Sequence, residues 1–201
     1  MIIALDGSSV DGSAYTDVVN LARRSPVWLD HTVSDYSTYG LALFAVLMAV
    51  GWWHARHRGA TASVTALAVP LVVVVAFGVD AALKVLVREN RPCQSLRVTT
   101  LEACPAPGDW SFPSNHAAVA AAAAVALLFV SRRLGALAAV AACAMAVSRV
   151  WVGAHYPHDV LAGVVVGALV ALLAMSALRR HAEAAALRLA ATRLRALLVG
   201  S

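Results

Sequence analysis

The sequence predicts an all-α bundle of membrane-spanning helices, and three observations support this prediction. Of the 201 residues, 61% are hydrophobic and only 13% are charged. The mean hydropathy is +0.75, and a soluble domain of this size needs more polar surface. The apolar residues also fall in separate runs whose lengths approach the ~20 residues that cross a bilayer. The alternative, a soluble helical core buried throughout, explains these long runs less well.

Five apolar runs, rich in Ala, Val and Leu and without strand-like alternation, are the predicted membrane helices. They cover residues 39–53, 61–87, 117–130, 134–152 and 160–178. We expect a single domain over residues 1–201, with an outer surface segment at 1–37, the bundle at 39–178 and a cytoplasmic tail at 179–201.

Both terminal segments are predicted to lie on the membrane surface rather than to cross it. Residues 18–36 carry a few apolar side chains among polar ones, which favours a surface helix. In the tail, four leucines lie opposite three arginines, a pattern typical of a basic amphipathic helix on anionic lipid. The leucines are Leu187, Leu194, Leu197 and Leu198, and the arginines are Arg188, Arg193 and Arg195.

The distribution of arginine predicts the orientation in the membrane. Nine arginines lie in the segments 54–58, 131–133 and 179–195, and the positive-inside rule places these segments in the cytoplasm. The loop at 88–113 and the N-terminus then face outward from the cytoplasmic membrane. The net charge of +5 is explained by this topology, so we expect the bilayer and no nucleic acid as partner.

Two of the three cysteines, Cys93 and Cys104, fall in the outward loop. In an oxidising compartment they could pair and brace that loop, although the spacing alone leaves the pairing open. Cys143 lies in an apolar run and is interpreted as a small packing residue.

Three polar clusters interrupt the apolar pattern, each at the predicted outward end of a helix. The first contains Lys84, the only lysine, and Arg91 followed by Pro92. Two cations at this spacing can bind one anion, and the single lysine suggests a need for a compact charge. A lysine that merely reaches the membrane surface is the alternative, and Asp80, one turn earlier, is a possible partner of Lys84.

The second cluster contains Ser114, Asn115 and His116 and leads directly into the third apolar run. The first backbone N–H groups of a helix, together with the Ser114 hydroxyl, can bind an anion. His116 can then serve as a general acid. The alternative is that Ser114 is an ordinary N-cap with an interfacial histidine nearby.

The third cluster contains Arg149, His155 and Asp159. Arg149 can bind phosphoryl oxygens in a bidentate manner, and a carboxylate can orient an imidazole so that its far nitrogen acts as a nucleophile. The alternative is a metal site that uses His116, His155, His158 and Asp159. The surrounding cations disfavour a metal and favour a phosphate, so we expect neither a metal nor another cofactor.

Together the clusters resemble the signature of the type-2 phosphatidic-acid phosphatase superfamily, K-x6-RP, PSGH and SR-x5-H-x3-D. Here they read Lys84 to Arg91-Pro92, Pro113-Ser114-Asn115-His116, and Ser148-Arg149 to His155 to Asp159. The segments 20–26 and 147–159 are most similar to the bacitracin-resistance subgroup of undecaprenyl-diphosphate phosphatases. Asn115 departs from the signature glycine, which puts the substrate in doubt more than the chemistry.

The resemblance implies a hydrolase that cleaves a membrane lipid phosphate at the extracytoplasmic face without a metal. In that mechanism His155 is the nucleophile, His116 the general acid and Asp159 the partner of His155. The phosphate would be bound by Lys84, Arg91, Ser114, Asn115 and Arg149. Undecaprenyl diphosphate is the first candidate substrate. Phosphatidate, phosphatidylglycerophosphate and prenyl-phosphoryl-sugar phosphates are alternatives.

Two hypotheses from other classes stay open at this point. Charged residues inside membrane spans also mark transport routes, so a lipid or anion transporter is one. The charges here gather at one membrane face, however, whereas a transport route needs polar residues across the whole span. A structural protein anchored to lipid phosphate is the other, and it would not need both histidines and the aspartate.

Overall fold

The computed structural model describes residues 6–96, 98–192 and 198, and the fold of this part is helical, as predicted. All five predicted apolar runs lie in helices. The helices are α1 (Ser8–Arg23), α2 (Val27–Tyr39), α3 (Leu41–Arg56), α4 (Ala60–Leu86), α5 (Pro92–Ser95), α6 (Asn115–Leu128), α7 (Arg132–Trp151) and α8 (Pro157–Ala190).

Three of the apolar helices, α4, α7 and α8, are each long and apolar enough to cross a membrane. Helices α2 and α3 meet this criterion only together, bent by 55° at Gly40. A β-carbon on Gly40 would collide with the carbonyl oxygen of Tyr36, so the bend needs a glycine. The remaining apolar helix, α6, has 14 residues and is shorter than a full span.

The alanine-rich helix α6 lies at the centre of the bundle, packed against α4, α7 and α8. Its buried alanines form one core with larger side chains such as Phe44 and Met175. Gly163 and Gly167 of α8 lie directly on the carbonyl oxygens of Ser114 and Ala118. Small residues four apart allow two helices to approach this closely. The contact places the N-terminal ends of α6 and α8 side by side.

The predicted surface helix over residues 18–36 is divided between two helices, α1 and α2, and within this segment only Val19 and Ala22 are buried. The chain ends α1 at Arg23 and begins α2 at Val27, with Pro26 at the N-cap, because proline disfavours a helical conformation in the residue before it. Helix α1 is packed into the protein: Tyr15 is fully buried, and its hydroxyl donates to the carbonyl oxygen of Gly153 at 3.0 Å.

The last predicted span and the first part of the predicted tail belong to one helix. Helix α8 continues without interruption to Ala190, because residues 179–190 are good helix formers without glycine or proline. Leu198, predicted to face lipid, is buried against Val64 and Ala186 instead. The Ser63 hydroxyl donates to the Leu198 carbonyl oxygen at 2.8 Å. Arg193, Leu194, Arg195 and Leu197 lie outside the described residues.

Two of the three cysteines are paired in a disulfide, and Cys143 is a free thiol. Cys93 and Cys104 form a disulfide across the loop between α4 and α6, with their Cα atoms 5.9 Å apart. Cys143 is exposed on α7, so its interpretation as a packing residue was wrong. It lies on an outer face of the bundle, where composition alone cannot separate lipid-facing from buried apolar residues.

Candidate active site

The three polar clusters meet in one cavity of about 280 Å³ between α4, α6 and α7. Its lining combines polar groups from all three clusters with a few apolar side chains. The polar residues are Lys84, Arg91, Asp109, Asn115, His116, Arg149 and His155, and the apolar residues are Leu41, Phe77 and Val119. The fold therefore brings together polar side chains that are up to 71 positions apart in the sequence, from Lys84 to His155.

His155 and Asp159 form a buried pair at the base of this cavity. The Nδ1 atom of His155 lies 3.4 Å from Asp159 Oδ2. The same oxygen accepts hydrogen bonds from the Ser111 hydroxyl at 2.5 Å and from the Tyr156 backbone N–H at 2.9 Å. Asp159 is thereby fixed in position, and its charge faces the Nδ1 side of the ring. The other ring nitrogen, Nε2, lies beside Arg91, which lines the cavity.

The environment of His155 keeps its imidazole neutral. Burial lowers the pKa of His155 to about 3, and the charges of Arg91 and Lys84 act in the same direction, while Asp159 opposes the shift. A neutral ring that donates from Nδ1 to Asp159 carries its lone pair on Nε2. That lone pair is the feature a nucleophilic histidine needs.

Arg91 and Lys84 are held by main-chain oxygens, and Arg91 also by a carboxylate. The Nη1 atom of Arg91 lies 3.3 Å from His155 Nε2 and donates to the Ala154 carbonyl oxygen at 2.9 Å. Its Nη2 atom forms an ion pair with Asp109 at 3.0 Å. Lys84 donates to the carbonyl oxygens of Trp110 at 2.8 Å and Ser111 at 3.3 Å. Both cations are thus positioned before any ligand binds.

Asp80 does not pair with Lys84 as expected. Its carboxylate is fully buried, and neither oxygen has a hydrogen-bond partner among the described residues. Lys84 instead extends toward the loop that precedes α6.

Arg149 projects from the end of α7 into the same cavity. It donates to the Ser37 hydroxyl and forms an ion pair with Glu102 Oε1 at 3.1 Å. Its Nε atom is buried and has no partner within the described part of the chain. A buried donor without a partner costs about 1–3 kcal/mol, so this arginine has capacity for a further oxygen ligand.

The N-terminal end of α6 supplies the second cluster. Ser114 occupies the N-cap position, but its hydroxyl makes no capping hydrogen bond and has no other partner among the residues described. The interpretation of Ser114 as an ordinary N-cap is therefore not supported. Asn115 and His116 line the cavity. The Ser114 backbone N–H donates to the Asp159 carbonyl oxygen at 3.0 Å, which connects this helix end to the third cluster.

Residues 62–183 match the PAP2 superfamily, which is more than half of the chain. The chain belongs to the PAP2 superfamily. The matched region contains all of the residues that line the cavity except Leu41.

Curated PAP2-like relatives match shorter stretches of the chain. Undecaprenyl-diphosphatase BcrC from Bacillus subtilis is 40% identical over 85 residues, which is 42% of this chain and 43% of that protein. Decaprenylphosphoryl-5-phosphoribose phosphatase from Mycobacterium tuberculosis H37Rv is 39% identical over 97 residues, or 48% of this chain and 51% of that protein. The matches thus span about half of these relatives or less.

A solved PAP2 structure has the same fold. The transmembrane PAP2-type phosphatidylglycerolphosphate phosphatase from Bacillus subtilis superimposes with a TM-score of 0.56 at 20% identity. The superposition covers 84% of this chain and 86% of the other. The likeness confirms the predicted polytopic membrane bundle.

Six of the eight predicted site residues line the cavity. Of the other two, Asp159 contacts His155, and Ser114 donates its backbone N–H to Asp159. Sequence reasoning assigned no role to several side chains that hold them in place: Ser37, Glu102, Asp109 and Ser111. These side chains belong to loops or to α2 and follow no motif spacing. The only signal in the sequence was the presence of acidic residues in the outward loop near the predicted cations.

The alternative metal site is brought together only in part. Among the described residues, the side-chain N and O atoms of Glu89, His158 and Asp159 lie within 4.8 Å of one another. This group contains neither His116 nor His155. The cationic side chains of Lys84, Arg91 and Arg149 line the cavity instead.

Proposed function

We propose that this protein is a metal-independent lipid phosphatase that removes the terminal phosphate of undecaprenyl diphosphate through a phosphohistidine on His155. The observation that carries the proposal is the cavity in which the buried His155 ring lies beside Arg91. Lys84, His116 and Arg149 line the same walls. A buried nucleophile surrounded by three cations and a second histidine fits phosphoryl transfer.

In the first step, Nε2 of His155 attacks the terminal phosphorus and the bond from phosphorus to the bridging oxygen breaks. His116 donates its proton to that oxygen, and undecaprenyl monophosphate leaves. In the second step, water attacks the phosphohistidine, the P–N bond breaks and His116 accepts the proton of the water. Asp159 balances the positive charge that develops on the His155 ring.

The phosphoryl oxygens are bound by groups that have spare hydrogen-bonding capacity. Arg149 Nε and the Ser114 hydroxyl are buried without a partner among the described residues, and both are adjacent to residues that line the cavity or belong to it. Arg91 and Lys84 add two charges. Fixed cations and dipoles stabilise the transition state without reorganising during the reaction.

The surroundings of the cavity support a lipid substrate with a polar head. Its lining includes Leu41, Phe77 and Val119 from three apolar helices, a suitable contact for a hydrocarbon chain. A second cavity of about 220 Å³ shares Arg91, His116 and Arg149 and is lined by the disulfide-braced loop. Lipid would bind along the apolar lining, and water and phosphate would exchange through the second cavity.

We place this site at the outer face of the cytoplasmic membrane. The disulfide between Cys93 and Cys104 lies next to the site, and disulfides persist in oxidising compartments. The arginine-rich segments 54–58, 131–133 and 179–188 lie at the opposite helix ends, as the positive-inside rule requires of cytoplasmic loops.

A second candidate is the same reaction on a prenyl-phosphoryl-sugar phosphate. The relative named decaprenylphosphoryl-5-phosphoribose phosphatase matches a longer stretch than the diphosphatase does. Asn115 lines the cavity with a buried side-chain oxygen that has no partner in the described part of the chain. An amide oxygen at this position could accept a hydrogen bond from a sugar hydroxyl.

The experiment is phosphate release by purified protein in detergent, with undecaprenyl diphosphate, phosphatidate and a prenyl-phosphoryl-pentose phosphate, each with and without EDTA. The variants are His155→Ala and His116→Ala, and the control is His181→Ala, which replaces an exposed histidine at the far end of α8. We expect EDTA-resistant release that is lost in His155→Ala and retained in His181→Ala.

Two further readouts test the assigned roles. A phosphoenzyme trapped by rapid quenching should be labile to acid and stable to base, as phosphohistidine is. With p-nitrophenyl phosphate, whose leaving group needs no proton, His116→Ala should lose much less activity than with a lipid substrate. Release that requires a divalent metal, or that survives in His155→Ala, would refute the mechanism. A preference for the sugar phosphate would favour the second candidate.

A further inference from the structure

His158 is enclosed by three carboxylates that belong to three different parts of the chain. Its Nδ1 atom lies 2.8 Å from Asp11 Oδ1 of α1, and its backbone N–H donates to the other oxygen of Asp11 at 2.8 Å. Its Nε2 atom lies 3.0 Å and 3.2 Å from the two oxygens of Glu89. Asp159 Oδ1 is 3.5 Å from the same nitrogen.

This arrangement favours a charged ring as long as the carboxylates around it are ionised. A neutral imidazole has one N–H, so one of its nitrogens would direct a lone pair at a carboxylate oxygen. The imidazolium donates from both nitrogens and satisfies both sides. The ring is also stacked between Tyr156 and Phe112, with centroid separations of 5.4 Å and 6.0 Å, which fixes its plane.

The cation separates two carboxylates that would otherwise repel each other. Glu89 and Asp159 are both fully buried. Burial raises the pKa of the Glu89 carboxyl, the nearby charge of Asp159 raises it further, and the hydrogen bond from His158 opposes the shift. Without a cation between them, one of the two carboxylates would retain a proton. A protonated Asp159 could not balance the charge that forms on His155.

We propose that His158 is a positioning residue whose imidazolium keeps Asp159 ionised and aimed at His155, and that Asp11 fixes that imidazolium from α1. The inference rests on the histidine mechanism proposed above. Its consequence is that the N-terminal helix is part of the catalytic unit, since Asp11 holds both the ring and the first turn of α8 in place.

Several charged groups face His158 or the His155–Asp159 pair and must be considered in any pH dependence. They are Asp11 of α1, Lys84 of α4, Glu89 and Arg91 of the segment that follows α4, and His158 of α8. Of these, His158 is the cation closest to Asp159 Oδ1 among the contacts of the described residues.

The charge on His158 is measured first, because that measurement needs no enzymatic activity. In protein labelled with ¹⁵N-histidine, one ring should give imidazolium shifts for both nitrogens at pH 7.5, and this signal should be absent from His158→Gln. If that variant does not fold, Asp11→Asn should shift the same signal. A neutral His158 at pH 7.5 would overturn the inference whatever substrate the enzyme prefers.

Kinetics then separate positioning from simple structural support. We expect His158→Gln to lower kcat by about 10- to 100-fold with little change in KM, and to move the acid limb of the kcat profile to higher pH. Adding Glu89→Gln removes one of the two repelling carboxylates and should restore most of the activity and the original acid limb. His181→Gln, on the same helix, is the control and should match the wild type.

The outcomes distinguish the two proposals. Wild-type protein that contains the imidazolium but releases no phosphate contradicts the proposed function and leaves the charged cluster established. Active wild-type protein with an unchanged rate and pH profile in His158→Gln overturns the positioning role. So does a folded, slow His158→Gln variant whose pH profile is unchanged and that Glu89→Gln does not restore.

Discussion

Gly163 is a position where one added methyl group should damage the site without altering any of its polar side chains. A β-carbon there would collide with the carbonyl oxygen of Ser114. A backbone carbonyl at the start of α6 cannot rotate away, so α6 and α8 must separate by on the order of 1 Å to restore van der Waals contact. The shift would carry Ser114 and His116 away from His155 and Asp159.

The expected magnitudes follow from that displacement. Overpacking of a helix contact costs about 1–3 kcal/mol of stability, and a misplacement of about 1 Å in a reacting group can lower the rate about 100-fold. Gly163→Ala should therefore remain folded, with a lower unfolding temperature, and lose most of its kcat.

Two other glycines provide matched controls. Gly167 lies one turn further along α8, on the carbonyl oxygen of Ala118, so Gly167→Ala should cost similar stability and less kcat. Gly78 is exposed on α4, with open space around its β-position. Gly78→Ala should raise stability by about 0.5–1 kcal/mol and leave the rate unchanged.

The assay combines thermal unfolding in detergent with steady-state phosphate release for the three variants and the wild type. The reasoning is refuted if Gly163→Ala keeps the wild-type kcat. It also fails if Gly167→Ala and Gly163→Ala lose kcat equally, because the loss would then follow stability rather than the position of Ser114.

Three further predictions concern the loop and the buried histidine. Ser111→Ala removes a hydrogen bond to the Asp159 carboxylate, worth about 1.5–3 kcal/mol. We expect kcat to fall at least ~10-fold and to recover in part in Ser111→Thr. An unchanged kcat in Ser111→Ala would contradict this prediction. Replacing the Cys93–Cys104 disulfide by two serines should cost about 3 kcal/mol of stability in thermal unfolding, whereas Cys143→Ser, at an exposed thiol, should cost nothing measurable. The native pKa of His155 is lowered to about 3 from 6.5, so the unfolded chain takes up a proton that the folded protein does not. The free energy of unfolding is therefore unaffected by His155 above pH 6.5. It falls as the pH drops from 6.5 toward 3, by up to about 1.4 kcal/mol per pH unit. Denaturant unfolding should give a lower free energy of unfolding at pH 5 than at pH 7. If His155→Gln loses as much stability between these two pH values as the wild type, the prediction is refuted.

The central part of the fold could be predicted because its information is local. An apolar run that enters the bilayer must form a helix, since unpaired backbone groups are too costly there. All five runs lie in helices, although the run at 39–53 is bent at Gly40 and α6 is shorter than a full span. The cluster residues could be assigned for a related reason: buried cations and histidines at one membrane face have few roles other than binding an anion.

The terminal segments were predicted less well because their environment is not encoded locally. Tyr15 and Leu198 lie in stretches of mixed polarity, and each is buried only because a distant element covers it, near Gly153 and near Val64 respectively. Periodicity describes which residues share a helix face, but not what that face contacts.

The sequence by itself determined the membrane class, the five apolar helices, the PAP2 signature and the side chains that gather at the cavity. Only the tertiary structure decided which partners hold them: Ser111 on Asp159, Glu102 on Arg149, and Asp11 and Glu89 on His158. The physical reason is that membrane helices and catalytic motifs are specified by residue type and spacing along the chain. Hydrogen bonds between loops depend on where those helices place their ends in space.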